Sequence, residues 1–417
     1  MTFYHQDSLA EQTLSRDREF LLPVYARYPV VMDRGEGVYL FDTSGNRYLD
    51  LMGGLGVNAV GHAHPRMVAA TVEQTARMVH LSPQYVSSAS VDLAQRLCEL
   101  SGLASVFYST GGSEAVEGAL KLARAYGHNN FGPHKTRIVA LYASYHGRTY
   151  GSMSVTGQKK YQEDFAPLMP GVDFVDREDF AQLEAAVTGD TCCILLEPVL
   201  GEGGVHELSA EYLRHARELA DRHSALLIFD EIQCGLGRTG EWFAYQKSGV
   251  RPDVLILGKP LGGGLPLSAL LVDEGLVHTL SLGKHGSTLG GSPLACRLGL
   301  EFLSIVEDEK LLQQVTTTGE YLRQCLLDLA QECSVIQEVR GRGLIVGVEM
   351  SAPVRPIVED ALRQGVMLNV VQGNVLRFLP PFLVTPTHID TTMQVLRPLL
   401  MAVCAAQEAA ETLQVSR

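Results

Sequence analysis

Ala225-Leu-Leu-Ile-Phe-Asp230-Glu231-Ile232-Gln233 and Pro252-Asp253-Val-Leu-Ile-Leu-Gly258-Lys259-Pro260-Leu261-Gly262-Gly263-Gly264 set the fold class. Each is a short apolar run that stops abruptly at a charged residue. That is the signature of a strand buried on both faces, and such strands belong to parallel sheets. Further runs of this kind lie at Ser105–Tyr108, Arg137–Tyr142, Cys192–Leu196 and Ser268–Val272, with amphipathic stretches such as Glu114–Tyr126 and Ala210–His223 between them. Strands alternating with helices predict an α/β sheet covered on both faces. From about Leu294 the pattern changes. A long helical stretch (Leu294–Glu332, broken near Glu307–Glu309) precedes short strands at Val335–Val339, Leu344–Glu349 and Val375–Phe378 and a closing helix near Ile389–Glu411. This predicts a smaller α+β domain. The segment Gly37-Val-Tyr-Leu-Phe-Asp-Thr-Ser-Gly-Asn-Arg-Tyr-Leu-Asp-Leu51 has a hairpin pattern with its turn at Ser44-Gly45-Asn46. The expected division is residues 1–60 and 311–417 in the small domain and 61–310 in the large one.

Composition narrows the function. The chain has 417 residues, with 34 Lys+Arg against 47 Asp+Glu, a net charge of −13. Nucleic-acid binding draws on clustered cations, so this balance argues against a polyanion partner. No apolar stretch reaches the roughly 18 residues of a membrane span. The polar N-terminus, Met-Thr-Phe-Tyr-His-Gln-Asp, fits neither a secretory signal nor a transit peptide. The eight cysteines form no CxxC pair, and all are expected reduced, in a cytoplasmic protein. His62 and His64 lack a nearby third ligand, so no metal is expected. The 41 glycines, by contrast, exceed the usual share and mark turns or close backbone approach to a ligand.

Four segments carry chemistry. Ser109-Thr110-Gly111-Gly112-Ser113-Glu114 joins a strand to a helix, where free amides and the helix dipole suit an anion; an ordinary glycine-rich turn reads equally well. Asp230 ends a buried strand, where ligands of α/β sheets sit, although a core salt bridge would place it there too. Lys259 ends another strand, and a partly desolvated lysine can form a Schiff base, though most such lysines are simply exposed. In Tyr145-His146-Gly147-Arg148 the aromatic could stack on a planar ligand and Arg148 could fork a carboxylate, unless the segment is a surface loop. Only their combination is specific. An anion cradle, an aromatic, a strand-end acid and a strand-end lysine together suit pyridoxal 5′-phosphate.

The same segments, with LLIFDEIQCGLGRTGEWFA, RPDVLILGKPLGGGLPLSALLV, HGSTLGGSPLAC and LLEPVLGEGGV, resemble the class III (subgroup II) aminotransferases, over about Tyr39–Thr385. YLDLMGGLGVNAVGHAHP and FYSTGGSEAVEGALKLARAY most resemble the acetylornithine aminotransferases. The resemblance implies the fold-type I architecture of pyridoxal-phosphate transferases: a large domain with a mainly parallel seven-stranded sheet and a smaller α+β domain. It implies a homodimer and a ping-pong transfer of the terminal amino group of an ω-amino acid, most closely N-acetylornithine, to 2-oxoglutarate. Ornithine, 4-aminobutyrate or putrescine as donor, an aminomutase or decarboxylase on the same scaffold, and a non-catalytic cofactor-binding protein are the alternatives.

Carried over by residue, the resemblance makes Lys259 the Schiff-base and proton-shuttling lysine and Asp230 the partner of the pyridinium nitrogen. Gln233 faces the cofactor's 3-oxygen. Gly111, Gly112 and Ser113 hold the phosphate, with Thr288 reaching it from a neighbouring subunit. Tyr145 and Ile232 cover the ring. Arg148, Ser287 and Arg377 meet substrate carboxylates, and Glu202 is the glutamate that pairs with Arg377 or yields to substrate. Two departures stand out: Gly111 replaces a hydroxyl-bearing residue, and Pro83 stands where relatives carry asparagine. Met52–Asn58 is expected to line the pocket without a large side chain, and Glu197 to help shape it.

Overall fold

The computed structural model describes residues 8–415, so the first seven residues of the polar N-terminus read above lie outside the described residues. The chain falls into two compact units. The larger comprises Pro65–Thr316 and Gly341–Ile345, and the smaller Thr317–Arg340 with the described parts of Met1–His64 and Val346–Arg417.

The larger unit is built on seven strands: β1 (Ser105–Ser109), β2 (Arg137–Leu141), β3 (Val172–Val175), β4 (Thr191–Leu196), β5 (Leu226–Asp230), β6 (Val254–Leu257) and β7 (Ser268–Val272). Their order is β1-β7-β6-β5-β4-β2-β3. β7 runs antiparallel to both neighbours, and the other pairs are parallel. The mainly parallel seven-stranded sheet is therefore present. Its seventh strand, β3, was not among the apolar runs, because this edge strand reads Val-Asp-Phe-Val and is only half-buried.

Helix α1 (Gly112–Phe131) packs Ala115, Val116, Ala119, Leu120 and Ala123 onto Ile138, Cys193, Ile228 and Ile256 of the sheet. Each fully buried branched side chain is worth about 1.5–3 kcal/mol, so this face anchors the helix start as well as its body. Helix α2 (Ala210–His223) begins at Ser209, whose hydroxyl accepts the Tyr212 amide, and ends with Arg222 and His223 beside its negative dipole end. The predicted helix break is real: Pro293–Asp308 and Leu311–Glu332 are separate.

In the smaller unit Tyr39–Asp42 pairs antiparallel with Arg47–Asp50, as the hairpin pattern predicts. Gly45 takes φ 81° in the turn. Asp42 closes it by accepting from Ser44 N and Asn46 N. His62 Nε2 lies 2.9 Å from Asp50 Oδ2, within hydrogen-bond reach. Among the described residues no group of three His, Cys, Asp or Glu side chains could hold a metal, and no helix is long and apolar enough to cross a membrane.

One expectation is corrected. Cys333 and Cys404 are joined in a disulfide, while Cys98, Cys192, Cys193, Cys234, Cys296 and Cys325 are free. A sequence separation of 71 gives no spacing signal. The two meet because the end of Leu311–Glu332 packs beside the closing helix Pro386–Val415, where Tyr321 also donates to Asp390 at 2.6 Å and Arg397 pairs with Glu332. Closing a loop of that length is worth about 4 kcal/mol of unfolded-chain entropy in the usual treatment. Titration of the unfolded, unreduced protein should therefore count six thiols and find eight only after reduction. Eight from the start would rule out the bond.

Candidate active site

The site forms where three strands end together. β5 is buried along its whole length and delivers Asp230, which pairs in register with Ile256 of β6. β6 ends at Leu257, and two residues on Lys259 opens a short 3₁₀ turn with φ 43°. That left-handed conformation is strained for a side chain with a Cβ, more so before proline, and strain of this kind concentrates at functional sites. β1 ends at Ser109, and the chain turns through Thr110–Gly111 into α1. Buried Ser268 of β7 fixes this turn, its hydroxyl 2.8 Å from that of Ser109 and donating to Gly111 O at 2.9 Å. Glu114 accepts from both the amide and the hydroxyl of Thr110 at 2.7 Å. Burial opposes its ionisation, but the bonds from Thr110 and Gly111 outweigh that and hold its carboxyl below the ordinary value.

Gly112, Ser113, Tyr145, Glu202, Asp230, Ile232, Gln233 and Lys259 line one cavity of about 200 Å³, joined by His146, Gly147 and Glu197. Ile232 lies against the start of α1 so closely that a Cβ on Gly112 would meet its Cδ1 at 2.7 Å. Gly201 is equally constrained: a Cβ there would fall 1.7 Å from Gln233 Oε1. Gln233 Nε2 in turn donates to Glu202 Oε1 at 3.3 Å.

Asp230, 3% exposed, has its Oδ2 2.7 Å from His146 Nδ1 and accepts Ile232 N on Oδ1 at 3.1 Å. The His146 backbone is itself held, donating to Thr156 Oγ1 at 2.9 Å. Glu197, at the end of β4, accepts Tyr145 N on one oxygen (2.7 Å) and Gly201 N on the other (3.3 Å). Burial pushes its carboxyl up to about 7, with the nearby Asp230 charge adding to the effect and His146 opposing it. Glu231 is completely buried and points away from the cavity lining, accepting Ala244 N at 2.6 Å and Tyr245 N at 2.8 Å. Burial pushes it up to about 7 as well.

The other expected site residues lie elsewhere. Arg148 is exposed beside the cavity, its Nε donating to Tyr145 Oη at 3.2 Å. Ser287 and the exposed Thr288 line a second cavity with Thr110, Glu114 and His285. Gly111 caps α1 with extended backbone and no side chain to contribute. Arg377 belongs to the smaller unit, where it is buried and its Nε and Nη2 both donate to Asn369 Oδ1, at 3.0 and 2.6 Å. Sequence reading makes His146 a support of its loop, and the structure extends this to a direct contact with Asp230; Gly147 and Glu231 carry no such reading. For Glu231, only its adjacency to Asp230 could have drawn attention.

The lining suits pyridoxal phosphate chemically. It combines the amide-rich start of a helix and a serine hydroxyl, a buried carboxylate steadied by an imidazole, a lysine, and an aromatic with an aliphatic side chain. His146 Nε2 is buried without a partner among the described residues, so the ring is committed to Asp230 on its other nitrogen. These features define a fold-type I pyridoxal-phosphate-dependent enzyme. Residues 23–400 match the class-III aminotransferase family, and the chain belongs to it. It is 41% identical over 386 residues to the acetylornithine aminotransferase of Methanocaldococcus jannaschii, covering 93% of this chain and 97% of that one. It is 42% identical to that of Neisseria meningitidis serogroup A, covering 93% and 99%. Among solved structures it is similar to the ornithine aminotransferase of Toxoplasma gondii, which was described with pyridoxal phosphate partially occupying its active site; the TM-score is 0.92, the identity 32%, and 96% of each chain is covered. It is also similar to the acetylornithine aminotransferase of Elizabethkingia anophelis, with TM-score 0.84, identity 29%, and 94% and 99% covered.

The two raised carboxyls set a pH dependence. In the folded state Glu197 and Glu231 bind protons more tightly than in the unfolded chain, where glutamate titrates near 4.3. Their favourable contribution is complete below that value and is lost as pH rises towards about 7. In Glu197→Gln the amide must turn its NH₂ towards one backbone N–H. The variant should melt lower than wild type at pH 5, yet lose less stability between pH 5 and 7. An unchanged slope in thermal melts would contradict the assignment.

Proposed function

We propose that this enzyme transfers the terminal amino group of N-acetylornithine to 2-oxoglutarate in two alternating half-reactions. The observation that carries the reading is that Lys259, Asp230 and Glu202 share one cavity with the helix start at Gly112–Ser113. The names of the relatives support the choice of donor. Pyridoxal phosphate, when bound, supplies the aldehyde that captures the amine and the ring that accepts the electrons left on the amine-bearing carbon.

The chain's own residues do the rest. Lys259 Nζ takes the proton from the amine-bearing carbon and would deliver it to the carbon that carried the cofactor's aldehyde. Asp230, positioned by His146 Nδ1 and the Ile232 amide, would hold a proton at the ring nitrogen, where it strengthens the electron demand. Gly112 and Ser113 bind the phosphate, with Gly111 admitting it without a side chain, while Tyr145 and Ile232 hold the ring and Gln233 its oxygen. Arg148, Ser287 and Arg377 orient substrate carboxylates. Glu202 counters cationic charge when the donor lacks a second carboxylate near it and withdraws when glutamate brings one, so that one pocket serves two differently charged substrates. We further propose a homodimer in which the exposed Thr288 completes a neighbouring copy's phosphate site, which makes assembly part of activity. A cytoplasmic setting belongs to the same proposal, resting on the polar N-terminal sequence rather than on the cysteines, since Cys333 and Cys404 are bonded.

The decisive experiment offers N-acetylornithine, ornithine, 4-aminobutyrate and putrescine with 2-oxoglutarate and measures glutamate formed. N-acetylornithine should have the highest kcat/KM. If it were inert while ornithine or putrescine reacted, the donor assignment would fall and the family would stand. Lys259→Ala should abolish turnover and leave the melting profile of the protein largely intact; full turnover in that variant would sink the mechanism.

A further inference from the structure

Beside the cavity, a small aromatic–cationic stack surrounds Arg148. Its guanidinium carbon sits 4.0 Å from the centroid of the Tyr161 ring and 5.7 Å from that of Tyr145. The two tyrosines meet edge to face, with centroids 5.6 Å apart and planes at 78°. Lys160 places its ammonium 4.9 Å from the same Tyr161 ring. Arg148 is fixed at its other end too, since its amide donates to Ser113 Oγ at 3.1 Å. Its Nε is used on Tyr145 Oη, and among the described residues neither Nη atom donates to the protein. A guanidinium held over a ring face, with its outer fork open, is prepared for a bidentate carboxylate.

Tyr161 is not a casual neighbour. It ends a single 3₁₀ turn, Lys159–Tyr161, and that turn is clamped on both sides by glutamines. Gln158 Nε2 donates to Ala143 O and Ser144 O, both at 3.2 Å, on the segment that carries Tyr145. Gln162 Nε2 donates to Met153 O at 2.9 Å and Thr156 O at 2.8 Å. Thr156 also holds the backbone of His146. The ring under Arg148 is therefore braced to the same backbone that positions the cofactor-site residues. Ordering a long exposed arginine costs rotamer freedom, and a pre-set platform removes much of that cost from substrate binding.

We propose that Tyr161, braced by Gln158 and Gln162, is a positioning residue that presents the Arg148 fork to the donor's carboxylate and so selects anion-tailed ω-amines over their decarboxylated, uncharged-tail counterparts. This rests on the assignment of Arg148 to a substrate carboxylate made above. Lys160 on the same ring adds positive potential on that side of the cavity, which further disfavours a diamine with a cationic tail.

The test uses holoenzyme and two donors that differ only in the carboxylate, N-acetylornithine and N-acetylputrescine. Single-turnover change in the absorbance of the bound cofactor gives the rate and the apparent Kd for each. Wild type should favour N-acetylornithine strongly. Tyr161→Leu should lower that preference roughly 5- to 30-fold, the range between an exposed and a desolvated cation–π contact, mainly through Kd. Tyr161→Phe keeps the ring face and should keep the preference. Cofactor content, and the Tyr161→Leu rate on N-acetylputrescine, should stay near wild type and so report an intact site. A preference within twofold of wild type in Tyr161→Leu, or an equal loss in Tyr161→Phe, overturns the proposal. A wild-type preference near one would instead overturn the role of Arg148 itself.

Discussion

The contact between Asp230 and His146, 2.7 Å long and almost sealed from water, is the constraint on which the site depends. A lone carboxylate at the end of a buried strand would gain a proton or destabilise the fold, because removing one partner of a buried pair costs about 3–5 kcal/mol. Here the imidazole and the Ile232 amide meet the charge. The pair also joins two stretches 84 residues apart, so the end of β5 and the Tyr145–Arg148 segment are located relative to each other.

Around that pair, charge is managed by backbone amides rather than by arginines. Glu197 uses both oxygens to tie Tyr145 to the loop that bears Glu202. Glu231, one residue beyond Asp230, turns away and pins Ala244 and Tyr245, which closes the loop behind the cavity. Adjacent acids thus divide the work, one lining the cavity and one fastening the chain. The same region is rich in positions where a Cβ would collide, among them Gly112, Gly147 and Gly201. Part of the glycine excess sits there, in walls that touch, and part in turns such as that at Gly45.

Much of this was legible beforehand, for identifiable reasons. Strands such as Leu226–Asp230 and Val254–Leu257 are apolar throughout because both faces are covered, and the abrupt change to Asp230 and Lys259 marks where they reach the ligand end. Helix α1 announced itself through Gly111–Gly112 ahead of an amphipathic run. Other features left no local trace. β3 is a half-buried edge strand with an aspartate in it, so it does not look like its neighbours. The roles of His146 and Glu231 depend on partners 84 and 13–14 residues away, and the Cys333–Cys404 bond spans 71. Such pairings are set by how helices and strands pack, which spacing in one sequence does not record.

The most direct test of the account is the single-turnover rate of Asp230→Asn holoenzyme with N-acetylornithine, alongside its melting temperature and cofactor content. Asparagine keeps the shape and the Ile232 contact but cannot hold a proton at the ring nitrogen. The variant should be a folded, cofactor-containing protein whose rate falls at least about a hundredfold, the scale seen when a preorganised electrostatic group is removed. A rate within a few-fold of wild type would contradict it.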